Sequence, residues 1–155
     1  MSERKSVKPF LKAAREGVRD GNYESAVDNA STAVEIDANC YEAYLLKGKG
    51  YYKLGLLTEA IAAYTRATEI DRLQPSAYMG LLEVHKLAED HAAGLAAIDN
   101  LIPLLQGANE AKCADLRRQR VRMLVKLERQ RRSRRRSSSR APTKAAHCPR
   151  VASFS

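Results

Sequence analysis

YEAYLLKGKGYYKLGLLTEAIAAYTRATEIDRLQ, residues 41–74, reads as two amphipathic helices joined by a tight turn. Tyr44, Gly48 and Tyr51 recur at helical spacing along the first. Gly55 interrupts the pattern after Leu54, and Ala60, Tyr64 and Ala67 mark one face of the second. A glycine inside a helix costs roughly 1 kcal/mol relative to alanine, so Gly48 implies a packing contact. Ala60 is its expected partner, because two helices cross closely only where side chains are small. A hairpin of this kind cannot bury its apolar faces alone and requires neighbours.

The neighbours recur at a fixed period. Stepping back 34 residues brings residues 7–40 into register, and stepping forward 34 brings residues 75–108. The position of Tyr44 becomes Phe10 and Tyr78, and that of Gly48 becomes Ala14 and Leu82. Ala60 aligns with Ala26 and Gly94, Tyr64 with Ala30 and Ile98, Ala67 with Ala33 and Leu101. Gly21-Asn22-Tyr23 repeats the turn of Gly55-Leu56-Leu57, and Ile36, Ile70 and Leu104 close the second helices. Three gapless 34-residue units with a small residue at one point of each second helix resemble the tetratricopeptide repeat. The tryptophan-type position carries Phe or Tyr here, and Ala38, Arg72 and Gln106 replace the usual late proline. The third unit also departs, with Leu82 where a small residue is expected and residues 88–90 around its turn. The resemblance implies an all-α fold: a right-handed α-solenoid of three helix-turn-helix repeats (7–40, 41–74, 75–108), a capping helix over 109–132, and a disordered basic tail over 133–155.

Composition sets the frame for that fold. A chain of 155 residues allows one domain and a tail. No apolar run approaches the roughly 18 residues that span a membrane, and MSERKSVKPF lacks the apolar core of a secretory signal. Cys40, Cys113 and Cys148 form an odd, widely spaced set with no CxxC, which reads as reduced thiols in a cytoplasmic, or additionally nuclear, protein. The net charge of +9 is unevenly placed. Residues 1–108 hold 12 Lys or Arg against 15 Asp or Glu, a balance of −3, whereas residues 109–155 hold 15 against 3, a balance of +12. The basic character therefore belongs to the C-terminal third.

Within that third, Cys113, Leu116, Arg120, Met123, Leu124 and Leu127 make a stripe at three- and four-residue steps, after a break at Gly107 and an N-cap at Asn109. A helix with a polar outer face closes the open end of a solenoid, and this stripe fits that role. The alternative is the first helix of a further repeat. Beyond it, seven arginines lie in residues 129–140, among them Arg131, Arg132, Arg134, Arg135 and Arg136. So little apolar surface cannot offset ordering entropy, so disorder is expected. Three readings of this tail stand open. It is a functional basic segment (nuclear import, RNA backbone contact, or kinase sites at Ser133, Ser137, Ser138 and Ser139), a solvated tail without a role, or the end of a truncated product.

No catalytic constellation is present: there is no nucleophile elbow and no phosphate loop, and His85, His91 and His147 lack a second ligand at metal spacing. His85 occupies the packing position of Tyr51. Neither enzyme activity nor a cofactor or metal is expected. The reading that is left is binding of a protein partner. The repeat resemblance implies that the first helix of each unit lines a concave surface. Residues there that point away from the paired helix are Lys8, Leu11, Arg15 and Arg19; then Glu42, Leu45, Lys49, Tyr52 and Lys53; then Ser76, Met79, Glu83 and Lys86. Six cations against two anions, in a block that is acidic overall, favour an acidic partner segment with apolar anchors. Leu11, Leu45 and Met79 either form an apolar line through that groove or pack against adjacent first helices.

Repeat domains that clamp the acidic tails of Hsp70 and Hsp90 require Lys and Asn, then Asn, then Lys and Arg at set positions. Those positions read Lys8 and Lys12, Leu46, then Ser76 and Gly80, so only Lys8 matches. A closer resemblance lies in KSVKPFLKAAREGVRDGNYESAVDNASTAVEIDANCYEAY, QPSAYMGLLEVHK and KCADLRRQRVRMLVKL, which are similar to the opening repeats of the tetratricopeptide scaffolds of the superkiller complex. That resemblance covers residues 5–127 and implies a scaffold, linked to cytoplasmic 3′-to-5′ mRNA decay, that holds subunits of a larger complex. Without it, a nucleic-acid-associated protein acting through its arginine-rich tail is the alternative.

Overall fold

The computed structural model describes residues 6–139. Seven helices follow one another among them: α1 (Lys8–Asp20), α2 (Tyr23–Ile36), α3 (Tyr41–Leu54), α4 (Leu57–Ile70), α5 (Pro75–Leu87), α6 (His91–Leu105) and α7 (Glu110–Ser138). No strand occurs among the described residues. The first six make three helical hairpins at the 34-residue step, so the fold is the all-α repeat solenoid that the periodicity predicts.

The turns carry the same period. Gly21 (φ 81°), Gly55 (φ 78°) and Glu89 (φ 55°) all adopt the left-handed conformation at equivalent positions after α1, α3 and α5. The first two satisfy it with glycine. The third places an L side chain where the left-handed conformation costs about 1–2 kcal/mol. Glu89→Gly should therefore stabilise the domain by about 0.5–1 kcal/mol, allowing for the entropy that glycine adds to the unfolded chain. An unchanged denaturation midpoint would show that this turn is not strained. The next residue caps the following helix in two of the three units. Asn22 Oδ1 accepts from Ser25 N at 3.2 Å and Asp90 Oδ1 from Ala93 N at 3.1 Å. Leu56 provides no such bond.

Packing between the hairpins follows one three-helix layer that recurs with different residues. In the first layer Ala14, Ala30 and Leu46 pack together, all buried. Their equivalents one period on are Gly48, Tyr64 and Gly80, and the buried Tyr64 ring lies against both glycines. A methyl group on Gly48 would sit 2.8 Å from the ring, and one on Gly80 would sit closer still. Gly48 thus makes room for Tyr64 and not, as its spacing suggested, chiefly for Ala60. In the third layer Leu82 and Ile98 supply the bulk, which explains a large residue at the expected small position. Between the first two layers the single large side chain moves from one helix to another, with small residues opposite it.

Polar contacts tie adjacent units. The Tyr41 hydroxyl accepts from Ala77 N at 3.2 Å, satisfying a free amide in the first turn of α5, which has no side-chain cap of its own. Arg15 of α1 pairs with Glu42 of α3, and this partner raises the Arg15 pKa through hydrogen bonding and charge.

Helix α7 packs on α6. Cys113, Leu116 and Met123 are buried, and Leu127 is half-buried against the cluster of Leu95, Ile98 and Leu101. Gly94 admits the Met123 thioether, which would lie 3.1 Å from a methyl group placed there. Asn109 caps the helix through Lys112 N at 3.0 Å, and Arg120 reaches Asp99 at 2.7 Å. Leu124, read as part of the apolar stripe, instead lies on the flank and is 39% exposed. The helix also continues through Ser138, past the boundary at Arg132, so residues 133–138 are helical and not a disordered tail. Arginine is a strong helix former, and i,i+3 pairs (Asp115 with Arg118, Glu128 with Arg131) add support along the exposed faces. The expected disorder of residues 140–155 lies outside the described residues.

Candidate partner-binding groove

Helix α1 lies beside α3 and α3 beside α5, whereas α2, α4 and α6 do not touch one another. The layer whose members touch is the inner side of the curve. On α3 the direction of that side is fixed by two glycines. Gly48 faces Tyr64 of α4, and Gly50 faces Val27 of α2, where an added methyl would lie 2.5 Å from the valine. At about 100° per residue these two positions bracket the outer helices, and Lys49 between them points directly away. Leu45, Tyr52 and Lys53 fall within half a turn of Lys49 on the same face.

Each candidate residue has a definite setting. Lys8, Arg15, Arg19, Lys49, Lys53 and Lys86 are all exposed. Three of them already have carboxylate partners: Arg15 with Glu42, Arg19 with Asp20 at 3.0 Å, and Lys86 with Glu83 at 2.9 Å. Lys8, Lys49 and Lys53 have none among the described residues. Lys53 stands over the Tyr52 ring, its ammonium 5.7 Å from the ring centre. Tyr52 itself is half-buried beside Tyr64, whose phenol is held well above its ordinary pKa, mainly by burial and secondarily by Tyr52. Leu11, Leu45 and Met79 are half-buried and pack onto three different buried clusters. They serve inter-helix packing and present only part of their surface to the groove. Met79 is further engaged by the Lys112 ammonium at 2.9 Å from its sulfur.

The structure adds residues that the repeat register did not reach. A cleft of about 370 Å³ between the α5–α6 hairpin and α7 is lined by Lys86, His91, Gln119, Arg122, Met123 and Lys126. It gathers three cations, Lys86 of α5 and Arg122 and Lys126 of α7. Within it His91 Nδ1 and Gln119 Oε1 are buried without a hydrogen-bond partner among the described residues. Arg122 and Lys126 lie on α7, beyond the three 34-residue units, so the repeat spacing does not signal them. The tail arginines Arg131, Arg132, Arg134, Arg135 and Arg136 are exposed on the last turns of α7, remote from this inner face in sequence and element.

Residues 41–72 match the family model described as Tetratricopeptide repeat, the same hairpin on which this geometry rests. In this hairpin the chain resembles the tetratricopeptide-repeat proteins. In sequence it resembles Superkiller protein 3 of Schizosaccharomyces pombe, 33% identical over 99 residues that cover 64% of this chain and 7% of that protein. Superkiller complex protein 3 of Homo sapiens is 28% identical over 117 residues, 72% of this chain and 7% of its own length. The chain thus spans about 7% of the length of these curated relatives. In fold it resembles the Yersinia enterocolitica type III secretion chaperone SycD in complex with a peptide of the translocator YopD. That likeness has a TM-score of 0.70 at 18% identity, covering 84% of this chain and 99% of that one.

No helix among the described residues is long and apolar enough to cross a membrane.

Proposed function

We propose that this protein is a non-catalytic scaffold whose inner face binds an acidic, amphipathic segment of a partner protein. One observation carries the reading. Lys49 and Lys53 stand exposed and free of carboxylates on the face opposite both outer helices, within a block whose balance is −3. Tyr52 lies between them in sequence and offers an aromatic anchor, the residue class that dominates interface hot spots. The neighbouring cleft with Lys86, Arg122 and Lys126 extends the positive surface toward α7. The peptide complex of the fold neighbour supports a peptide-binding use of this architecture. The similarity to superkiller proteins supports a role in a larger complex tied to cytoplasmic mRNA decay, with the partner a subunit of that complex.

The test uses an acidic peptide with spaced leucines. Lys49→Glu/Lys53→Glu should weaken binding on the order of tenfold, chiefly by slowing association, with the fold unchanged. The wild-type affinity should fall with salt, since the Debye length contracts from about 10 Å at 0.1 M to about 3 Å at 1 M. Tyr52→Ala should instead speed dissociation. Equal affinity and an equal salt slope in the charge-reversed variant would reduce the inner face to a solvated surface.

A further inference from the structure

We propose that the face of α7 turned away from α6 is a second docking site, which takes an acidic amphipathic helix from another protein. Val121 is 60% exposed and Val125 is 47% exposed, one turn apart and roughly opposite the buried Met123 on the helix; Leu124 beside them is 39% exposed. Three branched aliphatic side chains on a helix that is otherwise strongly charged make an apolar strip, not scattered surface residues. A shallow cleft of about 340 Å³ runs along it, lined by Leu124, Val125, Glu128, Arg129 and Arg132. Among the described residues nothing covers this strip, because α7 turns Leu116, Met123 and Leu127 toward α6 and α5 and leaves Val121, Leu124 and Val125 exposed.

Charge selects the occupant. Residues 110–138 hold 12 Lys or Arg against 3 Asp or Glu, a balance of +9. A second copy of α7 would bring a like charge against it. Residues 140–155 carry three Lys or Arg and no Asp or Glu, so they too are repelled. An acidic helix suffers neither penalty. Arg117, Arg129 and Arg132 border the strip and have no carboxylate partner among the described residues. They can meet glutamates flanking a leucine stripe, the helix-in-groove mode of recognition. RNA would satisfy the arginines but leave Val121, Leu124 and Val125 uncovered. This site lies on a different face of α7 from Arg122 and Lys126, which line the cleft beside the inner groove.

The experiment uses the full chain carrying Lys49→Glu/Lys53→Glu, which weakens the groove about tenfold, so that binding at α7 is read against a reduced background. The probe is a labelled helical peptide with leucines at three- and four-residue steps and glutamates on both flanks. Val121→Ser/Val125→Ser should weaken its binding at least about tenfold, which corresponds to about 1.4 kcal/mol. Arg117→Glu/Arg129→Glu should slow its association about tenfold. A matched peptide with its leucines replaced by serine should bind as weakly as the serine variant of the protein does, and it leaves the protein fold untouched. The proposal is overturned if the Val121→Ser/Val125→Ser variant, still helical by circular dichroism, binds the probe unchanged. It is overturned equally if the leucine-free peptide or a uridine-rich RNA binds as well as the probe.

Discussion

Replacing Tyr64 with alanine is expected to destabilise the domain by about 3–5 kcal/mol, the range for emptying a buried aromatic site. That corresponds to a fall in melting temperature of roughly 10–20 °C. The expectation is large because Gly48 and Gly80 flank the ring and have no side chains with which to fill the hole. Tyr64→Phe should keep most of the stability, since the ring carries the packing. The first layer suggests a rescue: there the same space is filled by Ala14, Ala30 and Leu46. Adding Gly48→Ala and Gly80→Leu to Tyr64→Ala copies that arrangement and should recover a substantial part of the loss. A triple variant no more stable than Tyr64→Ala would mean that the layers are not interchangeable and that Tyr64 does not act as the space-filler of its layer.

The second large effect concerns α7. Removing residues 109–155 strips the cover from Leu95, Ile98 and Leu101, which are 9%, 0% and 0% exposed in the intact fold. Exposing two or three such side chains costs on the order of 5 kcal/mol, which is comparable to the whole stability of an ordinary domain. The shortened protein should therefore aggregate or lose its cooperative melting transition. Leu116→Ala is the milder form, expected to cost about 2–5 kcal/mol. Deletion from Arg129 onward should be nearly neutral by contrast, because residues 129–139 are exposed throughout. A truncated chain (1–108) that stays monomeric and melts where the full chain does would show that α7 is not a cap.

The helices and their turns were legible because each rests on local chemistry repeated every 34 residues. Alternating apolar faces, Gly21 and Gly55 at the left-handed positions, and small residues on the second helices all state the same hairpin. The volume exchange between layers was not legible in the same way. Gly48 announces a close approach, but its partner depends on which helix of the next unit supplies bulk. The answer required Tyr64 and Gly80 to be seen together. Gly80 was visible as a mid-helix glycine one period after Leu46, and that difference was the available signal. Lys8, Arg15, Arg19, Lys49, Lys53 and Lys86 came from register alone, and all six are exposed. Their pairing did not, because Arg15 with Glu42 joins two units across 27 residues. The end of α7 was misjudged for another reason. High arginine content signals poverty of apolar surface, but arginine also has high helix propensity; i,i+3 pairs support the helix as far as Arg131, and propensity accompanies it to Ser138.

The central claim is that the inner face of α3 and its neighbours receives an acidic segment, and amide chemical-shift mapping tests it most directly. The isotopically labelled full chain is titrated with an acidic peptide bearing spaced leucines. The largest shifts on the repeats are predicted at Lys49, Tyr52, Lys53 and Lys86, diminishing as salt is raised. Shifts confined to α2, α4 and α6, or none on α3 at peptide saturation, would contradict it.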